Sequence, residues 1–260
     1  MILNEILANR KKAIADLKET ITISTLEKQI SALNIRHLSF KEALKKQDKP
    51  LNVIAEVKKA SPSKGLICKA FNHLEIAKSY EKGQAAALSV LTEPTYFQGC
   101  NQYLTEIKVE VCLPVLRKDF IIDPFQIYEA KAIGADAILL IVAALSPREL
   151  KVYLDLANQL ELDVLVETHN EQEVKIALEA GAEIIGVNNR NLQTFEVSLE
   201  ISERLRKLIP KEKVFVAESG IHTVEDIKRL KALEVNAVLI GESVVKAENP
   251  KDKLQELINA

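Results

Sequence analysis

Eight short apolar runs alternate with longer amphipathic stretches from residue 51 to the end of the chain. Runs of this length and β-branched content are typical of buried strands, and the stretches between them have the apolar spacing of helices. The runs begin about 20–35 residues apart, which is the length of one strand, one helix and short loops. They are LNVIAEV (51–57), AALSVL (86–91), LPVL (113–116), DAILLIV (136–142), DVLVE (163–167), EIIGVN (183–188), KVFVAE (213–218) and NAVLIG (236–241).

Strands that alternate with helices pair in parallel. Eight strand–helix units in about 210 residues, with no linker rich in proline, glycine or serine, predict one α/β domain folded as a (β/α)8 TIM barrel. An open doubly wound sheet is the alternative, but it usually has fewer strands and normally carries a phosphate-binding glycine loop after the first strand. Neither GxGxxG nor GxxxxGK(S/T) occurs in this chain.

The residues before the first run have a different pattern, because their apolar positions recur at helical spacing. Ser24, with Glu27 three residues later, predicts a capping box at the start of a second helix, and Ser39 predicts the cap of a third. We therefore expect a helical extension over residues 1–50 that packs on a barrel formed by residues 51–260. The apolar face of the first helix carries Ile2, Leu3, Ile6, Leu7, Ile14 and Leu17.

A weak internal repeat places a glycine just before three of the runs, at Gly83, Gly134 and Gly181. Glycine suits the left-handed residue that ends a helix and leads into the next strand. The fourth copy is imperfect, because Val235 and Asn236 stand where Gly-Ala would be. The repeat supports a chain of equivalent helix–strand units.

Charge and cysteine content narrow the classes of function. The net charge of −2 and the pI near 6.2 provide no overall attraction to nucleic acid or to an anionic membrane. The three cysteines are an odd number without CxxC spacing, which indicates a reducing compartment. Charges interrupt the first residues before an apolar signal segment can form, so we expect a cytosolic protein. No histidine has a partner at zinc-site spacing, and we expect no metal.

Polar residues follow the predicted strands at one end only. The carboxyl-terminal ends of the strands carry the active site of a TIM barrel, so these side chains predict a ring around one pocket. A single polar residue at a strand end is more often merely solvated, but the repetition on five or six strands favours a shared site. The predicted ring consists of Glu56, Lys58, Lys118, Glu167, Asn188 and Glu218, and Arg190, Ser219 and Gly241 also stand at the ends of these runs.

This ring predicts acid–base chemistry. A lysine among carboxylates in a barrel mouth can act as a general acid, and we assign that role to Lys118. A glutamate near other acids and apolar walls is expected to have a raised pKa and to act as a base, and we assign that role to Glu167. Glu56 is expected to keep the lysines charged and to orient them.

Glycines in the loops after the seventh and eighth strands indicate a phosphate site. These loops, ESGI (218–221) and LIGES (239–243), lie where TIM barrels often bind phosphate through backbone N–H groups. The segment KKASPSKG (58–65) after the first strand adds hydroxyls, glycine and cations to the same end. Each segment alone is more often an ordinary turn, and it is their combination that predicts an anionic ligand.

Eight motifs resemble, in order and across essentially the whole chain, the indole-3-glycerol phosphate synthases of tryptophan biosynthesis. The resemblance implies a substrate, 1-(2-carboxyphenylamino)-1-deoxy-D-ribulose 5-phosphate, that is cyclised, decarboxylated and dehydrated to indole-3-glycerol phosphate. It implies no cofactor and no metal. The motifs are IAEVKKASPSKG, SVLTEPTYFQG, LRKDFIID, GADAILLIV, LVETHN, GVNNRNL, AESGI and LIGES.

The resemblance also implies a role for particular residues. Lys118 falls on the family's general acid and Glu167 on its base. The implied catalytic set is Lys118, Glu167, Glu56, Lys58, Asn188 and Glu218, and the implied substrate-binding set is Ser61, Phe97, Phe120, Arg190, Ser219, Gly220, Gly241 and Glu242. Glu242 departs from members that carry serine there, and its carboxylate cannot donate to phosphate, so only its backbone N–H can contribute.

Two other functions remain open from the residues alone. Another phosphosugar barrel of the same pathway, phosphoribosylanthranilate isomerase or the tryptophan synthase α-subunit, is one alternative. The isomerase needs a Cys–Asp acid–base pair, but no cysteine lies at the end of the first predicted strand. The other alternative is a barrel that binds or scaffolds without catalysis. We expect a monomer, because no long exposed apolar stripe is evident. The small net charge leads us to expect no nucleic-acid or membrane partner.

Overall fold

The computed structural model describes residues 2–46, 48–191 and 194–260, in which eight parallel strands close into a barrel. The sheet order is β1-β10-β9-β8-β7-β6-β5-β4, and β4 pairs with β1 to complete the circle. The predicted TIM barrel is therefore confirmed. The barrel strands are β1 (Asn52–Val57), β4 (Ala87–Leu91), β5 (Val115–Lys118), β6 (Ala137–Ile141), β7 (Asp163–Thr168), β8 (Ile184–Asn188), β9 (Val214–Glu218) and β10 (Ala237–Ile240).

Two short strands, β2 (Ala60–Ser61) and β3 (Gly65–Leu66), form an antiparallel hairpin in the loop after β1. At least one helix follows each barrel strand, and many of these helices begin at a side chain that accepts a backbone N–H bond. The helices are α1 (Ile2–Thr20), α2 (Ile23–Ala32), α3 (Phe40–Lys45), α4 (His73–Lys82), α5 (Asn101–Glu110), α6 (Pro124–Ala132), α7 (Pro147–Gln159), α8 (Glu171–Glu179), α9 (Glu200–Arg206), α10 (Val224–Lys231), α11 (Glu242–Val245) and α12 (Pro250–Ile258), with a 3₁₀ turn at Val142–Ala144.

The inside of the barrel is filled with apolar side chains below the carboxyl-terminal ends of the strands. Ile54, Leu116 and Leu165 are fully buried there, and Phe40 and Leu44 of α3 pack against the same cluster. Helix α3 contacts β4 and β9 near their first residues, so it closes the amino-terminal end of the barrel. The carboxyl-terminal end is left as the end that can open to solvent.

Polar contacts join the extension to the barrel at both ends. At the amino-terminal end, Ser39 caps α3 as predicted, and its hydroxyl donates to Asp163 at 3.1 Å. At the other end, Arg10 of α1 donates to the buried carboxylate of Asp119 at 3.0 Å. The division of the chain at residue 50 into an extension and a barrel stays a prediction.

Two local predictions are wrong. The second helix is capped by Thr22 rather than by Ser24, because α1 ends at Thr20 and the chain turns at once into α2. The glycine before the second run, Gly83, has φ −74°, and the left-handed residue is Gln84 at φ 68°. Gly134 and Gly181, both at φ 90°, take the left-handed conformation as expected.

No helix within residues 2–46, 48–191 and 194–260 combines the length and the apolar character needed to cross a membrane.

Candidate active site

A pocket of about 1240 Å³, measured with its open mouth, lies at the carboxyl-terminal ends of the strands. All the catalytic and substrate-binding residues nominated from the sequence line it, so the structure brings the whole nominated set together. Their roles stay predictions. They are Glu56, Lys58, Ser61, Phe97, Lys118, Phe120, Glu167, Asn188, Arg190, Glu218, Ser219, Gly220, Gly241 and Glu242.

The side chain of Lys118 lies between two carboxylates at the base of the pocket. Its Nζ donates to Glu167 Oε2 at 3.0 Å and to Glu218 Oε2 at 2.7 Å. Burial alone lowers the pKa of Lys118, but the charges of Glu218, Glu167 and Glu56 outweigh it and raise the pKa above the ordinary range. These neighbours therefore favour the charged ammonium form of Lys118.

Four ionisable side chains form one layer across the barrel, because Glu56, Lys118, Glu167 and Glu218 project inward from the alternate strands β1, β5, β7 and β9. The strands between these four have smaller or apolar residues at neighbouring positions. Gly186 of β8, for example, pairs in register with Glu167 on one side and Val216 on the other. Alternation along the strands, which predicted the ring, explains why these four meet.

The two carboxylates beside Lys118 differ in pKa, in the opposite sense to our expectation for Glu167. Burial raises the pKa of Glu167, but Lys118, His169 and Asn188 together lower it below the ordinary value. Burial is also the largest cause for Glu218 and raises its pKa to about 7, with Glu167 adding to the increase and Lys118 opposing it. The predicted raised pKa of Glu167 is wrong because Lys118 and Asn188 donate to that carboxylate and the His169 ring lies beside it.

Lys58, the residue after the end of β1, forms an ion pair with Glu56 two residues earlier. The Glu56 carboxylate packs over Gly241, where a Cβ atom would lie only 2.7 Å from Glu56 Oε2. The glycine after β10 thus leaves room for the acid of β1. This matches the expectation that Glu56 orients a lysine, although its contact is with Lys58 rather than with Lys118.

Asn188 links the base to the next loop. Its side-chain amide donates to Glu167 Oε1 at 3.1 Å, and its Oδ1 accepts the backbone N–H of Arg190 at 3.0 Å. The guanidinium of Arg190 donates to the backbone carbonyl of Phe195 at 3.3 Å and lines the pocket. A cation at this edge can hold a carboxylate of a ligand.

Aromatic and aliphatic side chains form the wall opposite the charges. The rings of Phe97 and Phe120 lie 6.1 Å apart at their centroids, tilted by 41°. Sequence reasoning expected the amino-terminal helices to lie against the barrel mouth but nominated none of their residues, because nothing local in an amphipathic helix shows which side chains reach the pocket. The additional apolar residues that line the pocket are Ile2, Leu3, Ile6, Leu91, Leu139, Ile141, Phe195, Ile221, Leu239 and Ile240.

The loops after β9 and β10 bring small residues to the other end of the pocket. Ser219 and Gly220 have φ values of 67° and 76°, so two successive left-handed residues shape the turn. A Cβ at Gly220 would overlap Val197, which makes glycine necessary there. The Glu242 carboxylate forms an ion pair with Lys246 at 2.7 Å. His222 and Ser243, which sequence reasoning had not nominated, line the same end.

Two groups that support the site were also missed. The buried carboxylate of Asp119 is held by neighbouring side chains: its Oδ2 atom accepts from Thr92 at 2.7 Å and from Arg117 at 3.2 Å. His169 lies 3.3 Å from Glu167 through its Nε2 atom. The alternation that placed Glu167 in the pocket also puts residue 169 on the same side, and that signal was available in the sequence.

Comparison with known proteins bears on what these groups do. Residues 3–257 match the family described as "Indole-3-glycerol phosphate synthase". The chain belongs to the indole-3-glycerol phosphate synthase family. A family member of that name from Endomicrobium trichonymphae is 54% identical over 259 residues, which cover 99% of each chain. Another from Lachnoclostridium phytofermentans is 48% identical over 269 residues, which cover 99% of this chain and 98% of the relative.

Solved structures with low sequence identity share the fold of this indole-3-glycerol phosphate synthase family member. A 3-hexulose-6-phosphate synthase from Salmonella typhimurium has a TM-score of 0.65 at 14% identity, covering 80% of this chain and 96% of that one. A mutant tryptophan synthase α-subunit from Pyrococcus furiosus has a TM-score of 0.62 at 15% identity, covering 82% and 99%. At these identities the comparison shows the barrel alone.

Proposed function

We propose that this protein is an indole-3-glycerol phosphate synthase. It converts 1-(2-carboxyphenylamino)-1-deoxy-D-ribulose 5-phosphate to indole-3-glycerol phosphate, carbon dioxide and water by general acid–base catalysis. The observation that carries the proposal is the position of Lys118, which lies charged between Glu167 and Glu218 at the base of a pocket with one aromatic wall. Membership of the family supports the choice of substrate.

Three parts of the pocket match three parts of this substrate. Phe97 and Phe120 offer a surface for the anthranilate ring, since aromatic groups stack favourably on such side chains. Arg190 is assigned to the carboxylate of the ring. The turn at Ser219 and Gly220, with the loop at Gly241, is assigned to the phosphate through backbone N–H groups. Ser61, buried beside these loops, is assigned to the ribulose chain.

In the first step Lys118 acts as the acid. The ring carbon that bears the carboxylate attacks the ketone carbon of the ribulose, and the Lys118 ammonium transfers a proton to the ketone oxygen. The attack leaves a cationic ring, and loss of carbon dioxide from the same carbon returns the electron pair to the ring. Glu218 holds the ammonium in place by accepting its hydrogen bond, and the charges of Glu218, Glu167 and Glu56 favour its charged form before the transfer.

In the second step Glu167 acts as the base. As the new hydroxyl leaves as water with assistance from the ring nitrogen, Glu167 takes a proton from the methylene carbon beside that nitrogen, and the double bond that forms completes the indole. Lys118 is the main group that lowers the pKa of Glu167. Once Lys118 has given up its proton, that positive charge is gone and the pKa of Glu167 rises, so the base strengthens after the acid has acted.

The proton for the departing hydroxyl comes from Lys118 or from Lys58. Both ammonium groups line the pocket, and each is paired with a carboxylate of the ionisable layer. Their separate substitution distinguishes the two. Accumulation of a decarboxylated but still hydroxylated intermediate marks the variant that lacks the second acid.

The two alternative functions, an isomerase and a scaffold, would each require different residues in this pocket. The isomerase would need a cysteine and an aspartate as its acid–base pair, but Cys68, Cys100 and Cys112 are absent from the residues that line the pocket. A scaffold would have no need for Lys118 and two buried carboxylates, which are costly to bury. The lack of a cysteine among the lining residues therefore disfavours the isomerase, and the layer of ionisable groups disfavours the scaffold.

The decisive experiment adds the carboxyphenylamino-ribulose phosphate to purified protein and follows indole fluorescence together with carbon dioxide release. We expect both signals to appear in equal amounts. A folded protein that produces neither signal contradicts the proposal and favours the isomerase or scaffold alternatives. Cytosolic location and a monomeric state remain part of the proposal, and size-exclusion chromatography with light scattering tests the second.

A further inference from the structure

The imidazole ring of His169 lies between two carboxylates directly behind the base. Its Nε2 atom is 3.3 Å from Glu167 Oε1, and its Nδ1 atom is 3.0 Å from Glu173 Oε2. The ring is 12% exposed and follows the last residue of β7. No step of the proposed reaction uses this ring, yet it is the nearest cationic group to Glu167 on the side away from Lys118.

The two contacts favour a charged ring. The Nδ1 atom is hydrogen-bonded to Glu173 Oε2, whereas the buried Nε2 atom lies 3.3 Å from Glu167 Oε1 as a charge contact and has no hydrogen-bond partner among the described residues. A neutral imidazole has one N–H and one lone pair, so one of its nitrogens would place a lone pair beside a carboxylate oxygen. Burial alone lowers the pKa of His169, but Glu167 and Glu173 outweigh that effect and raise it to about 10. Geometry and electrostatics therefore agree on an imidazolium at neutral pH.

Glu173 holds the ring in place from helix α8. Its Oε2 atom accepts the backbone N–H of His169 at 2.8 Å, and its Oε1 atom accepts the side-chain amide of Asn170 at 2.7 Å. Asn170 in turn caps α8 by accepting the backbone N–H of Glu173 at 2.9 Å. The cap of the helix thus fixes Glu173, and Glu173 fixes the imidazolium.

The partners of Glu167 complete the arrangement. Its Oε1 atom accepts from Asn188 of β8 and faces His169, while its Oε2 atom accepts from Lys118 of β5. Glu218 of β9 accepts from the same Lys118 ammonium, and the charge of Glu167 adds to burial in raising the pKa of Glu218. When Lys118 transfers its proton, His169 is the cation that remains against Glu167.

We propose that His169 is a positioning residue for the base: as an imidazolium anchored by Glu173, it keeps the Glu167 carboxylate ionised and fixed in orientation while Lys118 transfers its proton. The inference rests on the proposed function, because Glu167 is a base only in that reaction. It assigns no contact between His169 and the substrate.

The first test compares the pH profiles of kcat for the parent and for His169→Gln, which keeps an N–H donor but carries no charge. Without the cation the pKa of Glu167 rises, so we expect the acid limb of kcat to move up by about one pH unit. The kcat of the variant relative to that of the parent should then be roughly tenfold lower at low pH than at high pH, while KM stays within about twofold of the parent value.

A matched control is His73→Gln. His73 also pairs with a carboxylate, Glu106, at 2.5 Å, but it is stacked on Tyr103 outside the pocket. We expect its pH profile to match that of the parent. An acid limb of folded His169→Gln that coincides with the parent's overturns the proposal.

The second test needs no activity and covers the case in which His169→Gln does not fold. Nitrogen NMR of histidine-labelled parent protein, assigned by comparison with His73→Gln and Glu173→Gln, reports the charge of each ring. We expect His169 to remain doubly protonated at about pH 8 and to titrate at lower pH in Glu173→Gln. A neutral His169 ring at about pH 7 in the parent overturns the proposal, whereas absence of indole formation by the parent defeats the proposed function instead.

Discussion

The carboxylate of Glu218 fills the space in which a side chain at residue 186 would lie. A Cβ atom on Gly186 would overlap Glu218 Oε1 and would lie 3.1 Å from Leu165 Cδ1. Glycine in a strand interior often marks such a close approach. The absence of a side chain on β8 therefore allows the acid of β9 to reach Lys118.

Gly186→Ala tests this relationship. The methyl group is expected to displace the Glu218 carboxylate from Lys118, and a misplacement of about 1 Å can cost roughly 100-fold in rate. We expect kcat to fall by at least about tenfold. Gly181→Ala is the control, since its Cβ would meet nothing within 4 Å although its φ is +90°. That variant should lower Tm without lowering kcat, and equal kcat values for both variants would contradict the account.

The raised pKa of Glu218 predicts how stability changes with pH. Because the folded protein binds this proton more tightly than the unfolded chain, Glu218 stabilises the fold below about pH 4.5 and loses that contribution as the pH rises through about 7. Glu218→Gln lacks the titration. The free energy of unfolding of the variant minus that of the parent should therefore rise across this window, as measured by urea titration at several pH values. A constant difference is the contrary result.

Arg10 is expected to hold α1 over the pocket through Asp119. Arg10→Met removes a buried ion pair but leaves Asp119 with Thr92 and Arg117 as donors, so we expect a loss of about 1–3 kcal/mol. Because α1 supplies part of the apolar wall, KM should rise more than kcat falls.

Lys18→Met is the control for Arg10→Met, because Lys18 pairs with Asp123 in an exposed setting, at 43% and 28% exposure. We expect it to cost less than about 1 kcal/mol. Denaturant titration and steady-state kinetics check both variants. Equal effects of the two substitutions would show that burial of the Arg10 pair has no consequence for the pocket.

The start of α2 provides a test of the cap. Thr22 accepts the backbone N–H of Thr25, whereas Ser24 lies inside the helix. Thr22→Ala should therefore cost about 0.5–2 kcal/mol, and Ser24→Ala should cost little. Thermal unfolding of the two variants compares them directly, and a larger loss for Ser24→Ala would restore the capping box expected from the sequence.

The barrel and its ring of ionisable groups were predictable because both follow from period-two alternation. Lys118 and Glu167 each stand two residues beyond a buried leucine, so a parallel barrel must bring them to the same end. The predicted and observed strands differ mainly at their ends. Strand β5 runs over Val115–Lys118 rather than 113–116, and Lys118 thus belongs to the strand itself.

The remaining errors concern properties that depend on distant neighbours. The pKa of Glu167 is set by Lys118, His169 and Asn188, whose approach depends on side-chain orientation that the sequence does not contain. The placement of α3 as the plug of the barrel depends on Phe40 and Leu44, which look like any apolar pair in an amphipathic helix. Local sequence patterns predict helices and strands well, but they predict the partners of a buried charged side chain poorly.

The turnover rate of Lys118→Ala tests the central claim most directly. A positioned acid contributes about 10²–10⁴-fold, so we predict that indole formation from the carboxyphenylamino-ribulose phosphate slows by at least about 100-fold while circular dichroism shows an intact fold. Near-normal turnover by the folded variant would contradict the assignment of Lys118 as the proton donor.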